Sequence, residues 1–175
     1  MSKTAPIETD DLVVLLLGAD SAGTPAGRID GITRLEKLVF LIENELKPQW
    51  LDESADFISH HFGPFSAKVY DAVDVLNAAS MISDSAAPST SPEDSWEAEN
   101  IIGEDQYATR NFELTPRGRE YYNALLQDLP KGVEEQISAF KSRFAGAPLR
   151  QLIRYVYQRF PDYTDKSLIR NDILE

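Results

Sequence analysis

The sequence predicts an α+β fold in which helices predominate, organised as a single domain over residues 1–175. Apolar residues recur at helical spacing in several stretches, while short extended segments lie between turn-forming residues. The length of 175 residues suits one domain of ordinary size. The chain has no cysteine, which excludes disulfides, thiolate metal sites and thiol nucleophiles together.

The N-terminal part predicts two helices separated by a loop. Residues 8–18 read as a short helix with Thr9 as the N-cap, and residues 18–31 form a turn-rich loop. A strongly periodic helix then follows Asp30 and ends at Pro48. Its buried positions are expected to be Ile32, Leu35, Leu38, Val39, Ile42 and Leu46. Glu36 is expected on the solvent face.

The apolar run from Leu12 to Leu17 does not predict a membrane segment. A transmembrane helix needs about 20 apolar residues. A signal peptide needs a basic start and a longer apolar core, whereas this run follows Asp10 and Asp11. We therefore expect a cytoplasmic protein.

The tetrapeptide Gly63-Pro64-Phe65-Ser66 predicts the start of the next helix, over residues 66–79. Proline disfavours α conformation at the residue before it, and glycine tolerates the turn geometry that results. Ser66 can accept hydrogen bonds from the free N–H groups of the first turn. Phe65 and Tyr70 then occupy the two positions of a hydrophobic staple. The start of this helix and its angle to the core are therefore sharply specified.

The segments that follow this helix predict a β-hairpin and then more helices. Residues 83–106 are rich in Ser, Pro, Ala and acidic residues and read as a long, mobile loop. Residues 107–115 return to strand character, and Thr115-Pro116 gives an N-cap followed by proline at the first helical position. Further helices are expected within residues 130–160, the last of them at 149–160.

This order of elements predicts a winged helix-turn-helix. A helix, an extended segment, a capped helix and a hairpin over residues 82–114 would form a core at about residues 30–125. The helix at 66–79 takes the place of the recognition helix, and residues 83–106 form a long acidic wing. Additional N- and C-terminal helices pack on this core. These helices could also form the interface of a homodimer.

The net charge of the chain limits the kinds of partner that this domain can bind. The chain carries a formal charge of −12, and no basic residue lies between Lys68 and Arg110. A field of that sign repels phosphate over most of the surface, and phosphate contacts supply most non-specific DNA affinity. A salt-rich habitat would select an acidic surface as well. If DNA is bound, the contacts would have to come from Lys68, Arg110, Arg117 and Arg119.

The C-terminal third holds most of the arginines of this acidic chain. Arg150, Arg154 and Gln158 are spaced so that they share one face of the last clear helix. Arginine suits bidentate capture of a carboxylate or phosphate, and the acidity of the chain favours a protein partner. Such a partner could be the acidic loop of a second copy, and nucleic acid is the other ligand that fits. Local pairing with the chain's own acidic loop is the alternative to a binding role.

No motif in the sequence predicts catalysis, a cofactor or a metal site. His60 and His61 are adjacent, so in a strand they point to opposite faces and cannot share one metal. No catalytic triad order, phosphate-binding glycine loop or dinucleotide fingerprint occurs. Aromatic side chains near the C-terminus are expected to pack in the core. These are Tyr121, Tyr122, Tyr155, Tyr157, Phe160 and Tyr163. We therefore expect a non-catalytic protein.

Three blocks carry a family resemblance, namely RLEKLVFLIE (34–43), HHFGPFSAKVYDAVDVLNAASMI (60–82) and FELTPRGREYY (112–122). The last resembles the wing-to-helix junction of MarR-like and PadR-like winged-helix regulators. The set is similar to small prokaryotic winged-helix proteins and, distantly, to the Panacea antitoxin domain. This resemblance implies a role in transcriptional control, phage defence or toxin neutralisation.

The functional hypothesis follows from this resemblance and from the two elements in which the chain departs from DNA-binding winged-helix proteins. Both elements that should touch DNA, the helix at 66–79 and the wing at 83–106, are acidic. We therefore expect a regulatory or adaptor protein of the antitoxin or defence type that acts through protein contacts. A DNA-binding transcriptional regulator, or an accessory subunit of a nuclease or another enzyme, remains the alternative.

Overall fold

The computed structural model describes residues 6–22, 27–60, 63–85, 111–167 and 170–174. Within these residues the fold is α+β and mostly helical, as predicted, with two small β-sheets. The predicted acidic wing falls almost entirely on residues outside this described part of the chain.

Seven α-helices are present in the described residues. They are α1 (Thr9–Gly18), α2 (Ile32–Leu41), α3 (Ala67–Ala78), α4 (Pro116–Asp128), α5 (Val133–Phe144), α6 (Leu149–Arg159) and α7 (Arg170–Leu174). A π-helical turn, Ile42–Leu46, extends α2, and a 3-10 turn, Pro161–Thr164, follows α6. The strands are β1 (Arg28–Asp30), β2 (Ile58–His60), β3 (Gly63–Phe65), β4 (Ile82–Ser85) and β5 (Asn111–Leu114).

The larger sheet has three antiparallel strands in the order β1-β5-β4. Phe112 of the central strand faces Ile29 on one side and Asp84 on the other. The antiparallel pairing of β4 with β5 is consistent with the predicted hairpin, whose connecting residues lie outside the described part of the chain. The prediction that residues 18–31 form only a loop is wrong, because β1 lies within them. Three residues are too few to show strand alternation in the sequence, and pairing with β5 creates this strand.

Helix α1 lies at the centre of the fold. Every residue of its apolar run, from Leu12 to Leu17, is buried, because α1 packs against α2, α3, α4 and α5. Its predicted N-cap is wrong by one residue. Glu8 is the N-cap and forms a reciprocal capping box with Asp11, while the Thr9 hydroxyl donates to Glu53 Oε1 at 2.8 Å. No helix in the described residues is both long and apolar enough to cross a bilayer.

Helix α3 begins as the sequence predicts. The Ser66 side chain accepts a hydrogen bond from the Val69 N–H, and the Phe65 and Tyr70 rings lie 5.3 Å apart. Val69, Val73 and Leu76 are buried against the core. The staple and the cap therefore fix the start of the helix.

Helix α4 begins at the predicted Thr115-Pro116 pair. The Thr115 hydroxyl accepts from the Gly118 N–H at 3.0 Å and donates to the Ser80 carbonyl at 2.6 Å. The cap of α4 is thus tied to the residues that follow α3. Gly118 faces the Met81 carbonyl so closely that a Cβ at this position would overlap it.

Candidate partner-binding surfaces

A buried ion pair holds the start of α3 in place. Glu36 was expected on the solvent face of its helix, and this prediction is wrong, because Glu36 and Lys37 are both buried. The Lys37 ammonium donates to Glu36 Oε1 at 2.9 Å and to the Pro64 carbonyl at 2.8 Å. Glu36 Oε2 accepts from the Ser66 N–H at 3.1 Å. One charged pair on α2 thereby fixes both β3 and the N-cap of α3.

The outward face of α3 is acidic and partly apolar. Asp71 and Asp74 are exposed, and the Val75 side chain between them and the helix end is 54% exposed. Exposed charged residues and single exposed apolar residues are each ordinary on a helix surface, and here they share one face. This face presents two carboxylates beside an aliphatic contact.

Lys68, a candidate DNA contact, is directed toward carboxylates of its own chain. Its ammonium lies 2.9 Å from Asp56 Oδ2 and 3.8 Å from Glu53 Oε1, and it donates to the Ser54 carbonyl at 2.9 Å. The hydrogen bond between the Lys68 ammonium and the Asp56 carboxylate raises the pKa of Lys68 and lowers the pKa of Asp56. The one basic residue of α3 therefore already has carboxylate partners.

An aromatic strip runs beside the start of α3. Ile58, which is 56% exposed, pairs across the small sheet with Phe65. The His60 ring lies 4.9 Å from the Phe65 ring, which in turn contacts Tyr70. His60 thus packs on an aromatic ring, while His61 lies outside the described residues. No pattern in the sequence predicts that these side chains share one surface.

The candidate DNA-binding arginines have different surroundings. Arg119 is half-buried, donates to the Gly18 carbonyl at 3.0 Å and lies 5.2 Å from the centre of the Tyr122 ring. This interaction places it at the C-terminus of α1, where a cation is favourable. Arg117 is exposed at the start of α4. Arg110 lies outside the described residues.

A buried lysine occupies the same end of α1. The Lys141 ammonium donates to the Leu17 carbonyl at 3.0 Å and to the Ala19 carbonyl at 2.8 Å. Burial lowers the pKa of Lys141 to about 8. Lys141 and Arg119 together satisfy three carbonyls that the end of a helix leaves without intrahelical partners. Both cations therefore hold the core together.

The predicted partner face of α6 has the expected exposure. Arg150, Arg154 and Gln158 are exposed, while Leu152 and Ile153 are buried. The helix is therefore anchored by its apolar side, as the sequence predicts. The binding role of the arginine face remains a prediction.

A second group of cations, which sequence reasoning did not single out as a site, surrounds Tyr155. The Arg143 and Arg159 guanidinium carbons lie 5.8 and 5.9 Å from the centre of the Tyr155 ring. The Tyr155 hydroxyl donates to Glu45 Oε1, which also accepts from Arg159 at 3.2 Å. Burial and then this hydrogen bond raise the pKa of Tyr155. Because Glu45 is about a hundred residues away in sequence, no local pattern could reveal the group.

Cavities and metal-binding clusters give no further candidate. The described residues contain no group of three His, Cys, Asp or Glu side chains that could hold a metal ion. An open cavity of about 430 Å³ is lined by Trp50, Pro130, Val133 and neighbouring residues. It contains no pairing of a nucleophile with a base.

No protein family, curated protein or solved structure matches this chain. Function must therefore be inferred from the chemistry of the chain's own surfaces.

Proposed function

We propose that this chain is a non-catalytic winged-helix protein that acts through protein–protein contacts, as an adaptor or regulator of the antitoxin or defence type. The winged-helix assignment is supported by the order of elements. Helix α3 leads directly into the β4–β5 hairpin, and β1 completes the sheet beside β5. Helix α3 then corresponds to a recognition helix.

The outward face of α3 carries the proposal. Asp71 and Asp74 repel the phosphate backbone that a recognition helix normally approaches, and Val75 offers an aliphatic contact. Protein interfaces combine an apolar centre with a polar rim. The partner that fits is therefore a protein with a basic surface and an apolar pocket. Such a basic surface is typical of an enzyme or toxin that handles nucleic acid.

A DNA-binding regulator is the weaker alternative. Phosphate contacts by Lys and Arg supply nearly all non-specific affinity. Lys68 is already paired with carboxylates, and Arg119 is bound to the end of α1. Among the described candidates, Arg117 is exposed, while the Lys68 side chain, which is 42% exposed, already faces carboxylates. These cations are a weak basis for a DNA interface.

Charge reversal on α3 tests the proposal. Asp71→Lys with Asp74→Lys changes only exposed side chains, and Glu120→Lys with Asp128→Lys on α4 makes the same charge change elsewhere. Tagged proteins are expressed in the native host and co-purifying proteins are quantified by mass spectrometry. We expect one stoichiometric partner with the wild type and the α4 variant, and at least a tenfold loss with the α3 variant.

Binding to a duplex of the chain's own upstream DNA is measured in parallel by mobility shift at low and moderate salt. We expect no shift with the wild type. A specific shift that weakens with salt, together with unchanged partner recovery by the α3 variant, would replace the proposed function with DNA binding.

A further inference from the structure

The group around Tyr155 is a preorganised anion-binding arrangement. The Arg143 guanidinium lies over the Phe144 ring, 4.6 Å from its centre, and near the Tyr155 ring. It donates to the Tyr155 hydroxyl at 3.4 Å. Stacking on aromatic faces holds the planar guanidinium while leaving its N–H edge available, which is the geometry that suits a carboxylate.

Among the described residues, Arg143 has no carboxylate partner of its own. Within the described part of the chain, no ion pair links its exposed guanidinium to Asp or Glu. Arg159, on the other side of the Tyr155 ring, pairs with Glu45, yet its side chain stays 58% exposed. Two guanidinium groups thus border one tyrosine, and Glu45 pairs with the Arg159 guanidinium.

Glu45 indicates which ligand chemistry fits. Its Oε1 accepts from both the Tyr155 hydroxyl and Arg159, so one side of the group already holds a carboxylate. The π-helical turn that carries Glu45 is a rare form that occurs often at functional sites. The open side, at Arg143, can take a second carboxylate in the same way.

We propose that Arg143, Tyr155 and Arg159 form a docking site for an acidic segment of a partner protein. Charge complementarity selects a peptide carboxylate over a nucleic acid, because the chain's charge of −12 opposes a phosphate polymer. A short peptide can reach two adjacent guanidinium groups without bringing a long negative backbone against the rest of the surface. Phe144 and Tyr155 supply aromatic contact beside the charges.

This site is independent of the proposed α3 surface. It is built from α5, α6 and the π-helical turn, and its ligand has the opposite charge to the partner expected at α3. A chain that binds through both surfaces would bridge a basic protein and an acidic one. Loss of one activity by mutation should leave the other unchanged.

The probe is a fluorescein-labelled synthetic peptide with the sequence of residues 92–106, which contains six acidic residues and no basic one. Its binding to the full chain is measured by fluorescence anisotropy at low and moderate salt. We expect saturable binding that weakens with salt. A second peptide, in which every Asp and Glu is replaced by Asn and Gln, should not bind.

Matched variants locate the site. Arg143→Gln and Arg143→Glu should weaken peptide binding at least fivefold and tenfold, respectively. Arg117→Gln and Arg117→Glu, which change an equally exposed arginine on α4, should leave it within twofold. Glu45→Gln should strengthen binding, because the intramolecular carboxylate no longer competes for Arg159. Circular dichroism melts verify that each variant is folded.

Three results would overturn this proposal. They are absence of binding to the wild type, equal loss with the Arg117 variants, and equal binding of the uncharged peptide. Inorganic phosphate is added as a competitor. Complete displacement at concentrations where acetate and chloride have no effect would instead assign the site to a phosphate ligand.

Discussion

Removal of the Lys37 ammonium tests how the start of α3 is held. In Lys37→Met the side chain keeps a similar length and fills much of the same space, but Glu36 remains buried without its counter-ion. The Ser66 N–H would still donate to Glu36 Oε2, but the Lys37 ammonium, which donates to Glu36 Oε1 at 2.9 Å, would be lost. The Pro64 carbonyl would also lose its donor.

The expected cost is large. Breaking a buried ion pair by removing one partner costs about 3–5 kcal/mol, because an uncompensated charge is left inside. A domain of this size loses roughly 2–4 °C of Tm per kcal/mol, so Tm should fall by about 6–20 °C. Total stabilities are about 5–15 kcal/mol, so Lys37→Met should lose roughly a fifth or more of the free energy of unfolding.

The double variant Glu36→Gln with Lys37→Met separates charge from packing. Glutamine keeps an acceptor for the Ser66 N–H but needs no counter-ion, so the double variant should recover roughly 2 kcal/mol of the loss. Urea unfolding, followed by circular dichroism, gives both free energies. Lys131→Met, at an exposed position, serves as the control and should stay within about 0.5 kcal/mol of the wild type.

A loss below about 1 kcal/mol in Lys37→Met, or no recovery in the double variant, would refute this account. The buried pair would then have no role in orienting α3.

Three further predictions concern pH, packing and the arginine face. Burial lowers the pKa of Lys141 from 10.5 to about 8. Between pH 8 and pH 10.5 the unfolded chain therefore binds more protons than the folded chain. The free energy of unfolding should rise with pH over this range, by roughly 3 kcal/mol at most. Tyr157, whose pKa burial raises to about 12, opposes this rise above pH 10 or so. Urea unfolding at several pH values between 7 and 10 measures this rise in the free energy of unfolding. The rise should vanish in Lys141→Met. A rise that persists in that variant would exclude Lys141 as its source. Gly118→Ala should lose about 1–3 kcal/mol, because its Cβ would overlap the Met81 carbonyl just before β4. A melt unchanged from wild type would contradict that close approach. Arg150→Glu with Arg154→Glu should leave Tm nearly unchanged, because exposed ion pairs contribute about 0–1 kcal/mol each to folding. The same double variant should lose partner binding or self-association, measured by analytical ultracentrifugation. Unchanged binding would mean that this face is merely solvated.

Features that depend on residues close together in the chain could be predicted from the sequence. Ser66 and Thr115 cap their helices, and Phe65 meets Tyr70, because each of these contacts spans five residues or fewer. The exposed face of α6 followed equally from helical periodicity. The hairpin of β4 and β5 was also predictable, from the order of elements on either side of it.

Tertiary structure alone decided the strand β1, the burial of Glu36 and the group around Tyr155. In each case the partner is distant in sequence, as with Tyr155 and Glu45, which lie 110 residues apart. A charged residue on a periodic helix reads as solvated unless a distant part of the chain supplies its hydrogen bonds, as the Ser66 N–H does for Glu36. Helical spacing fixes which side a residue occupies, but only packing decides whether that side meets water or another part of the chain.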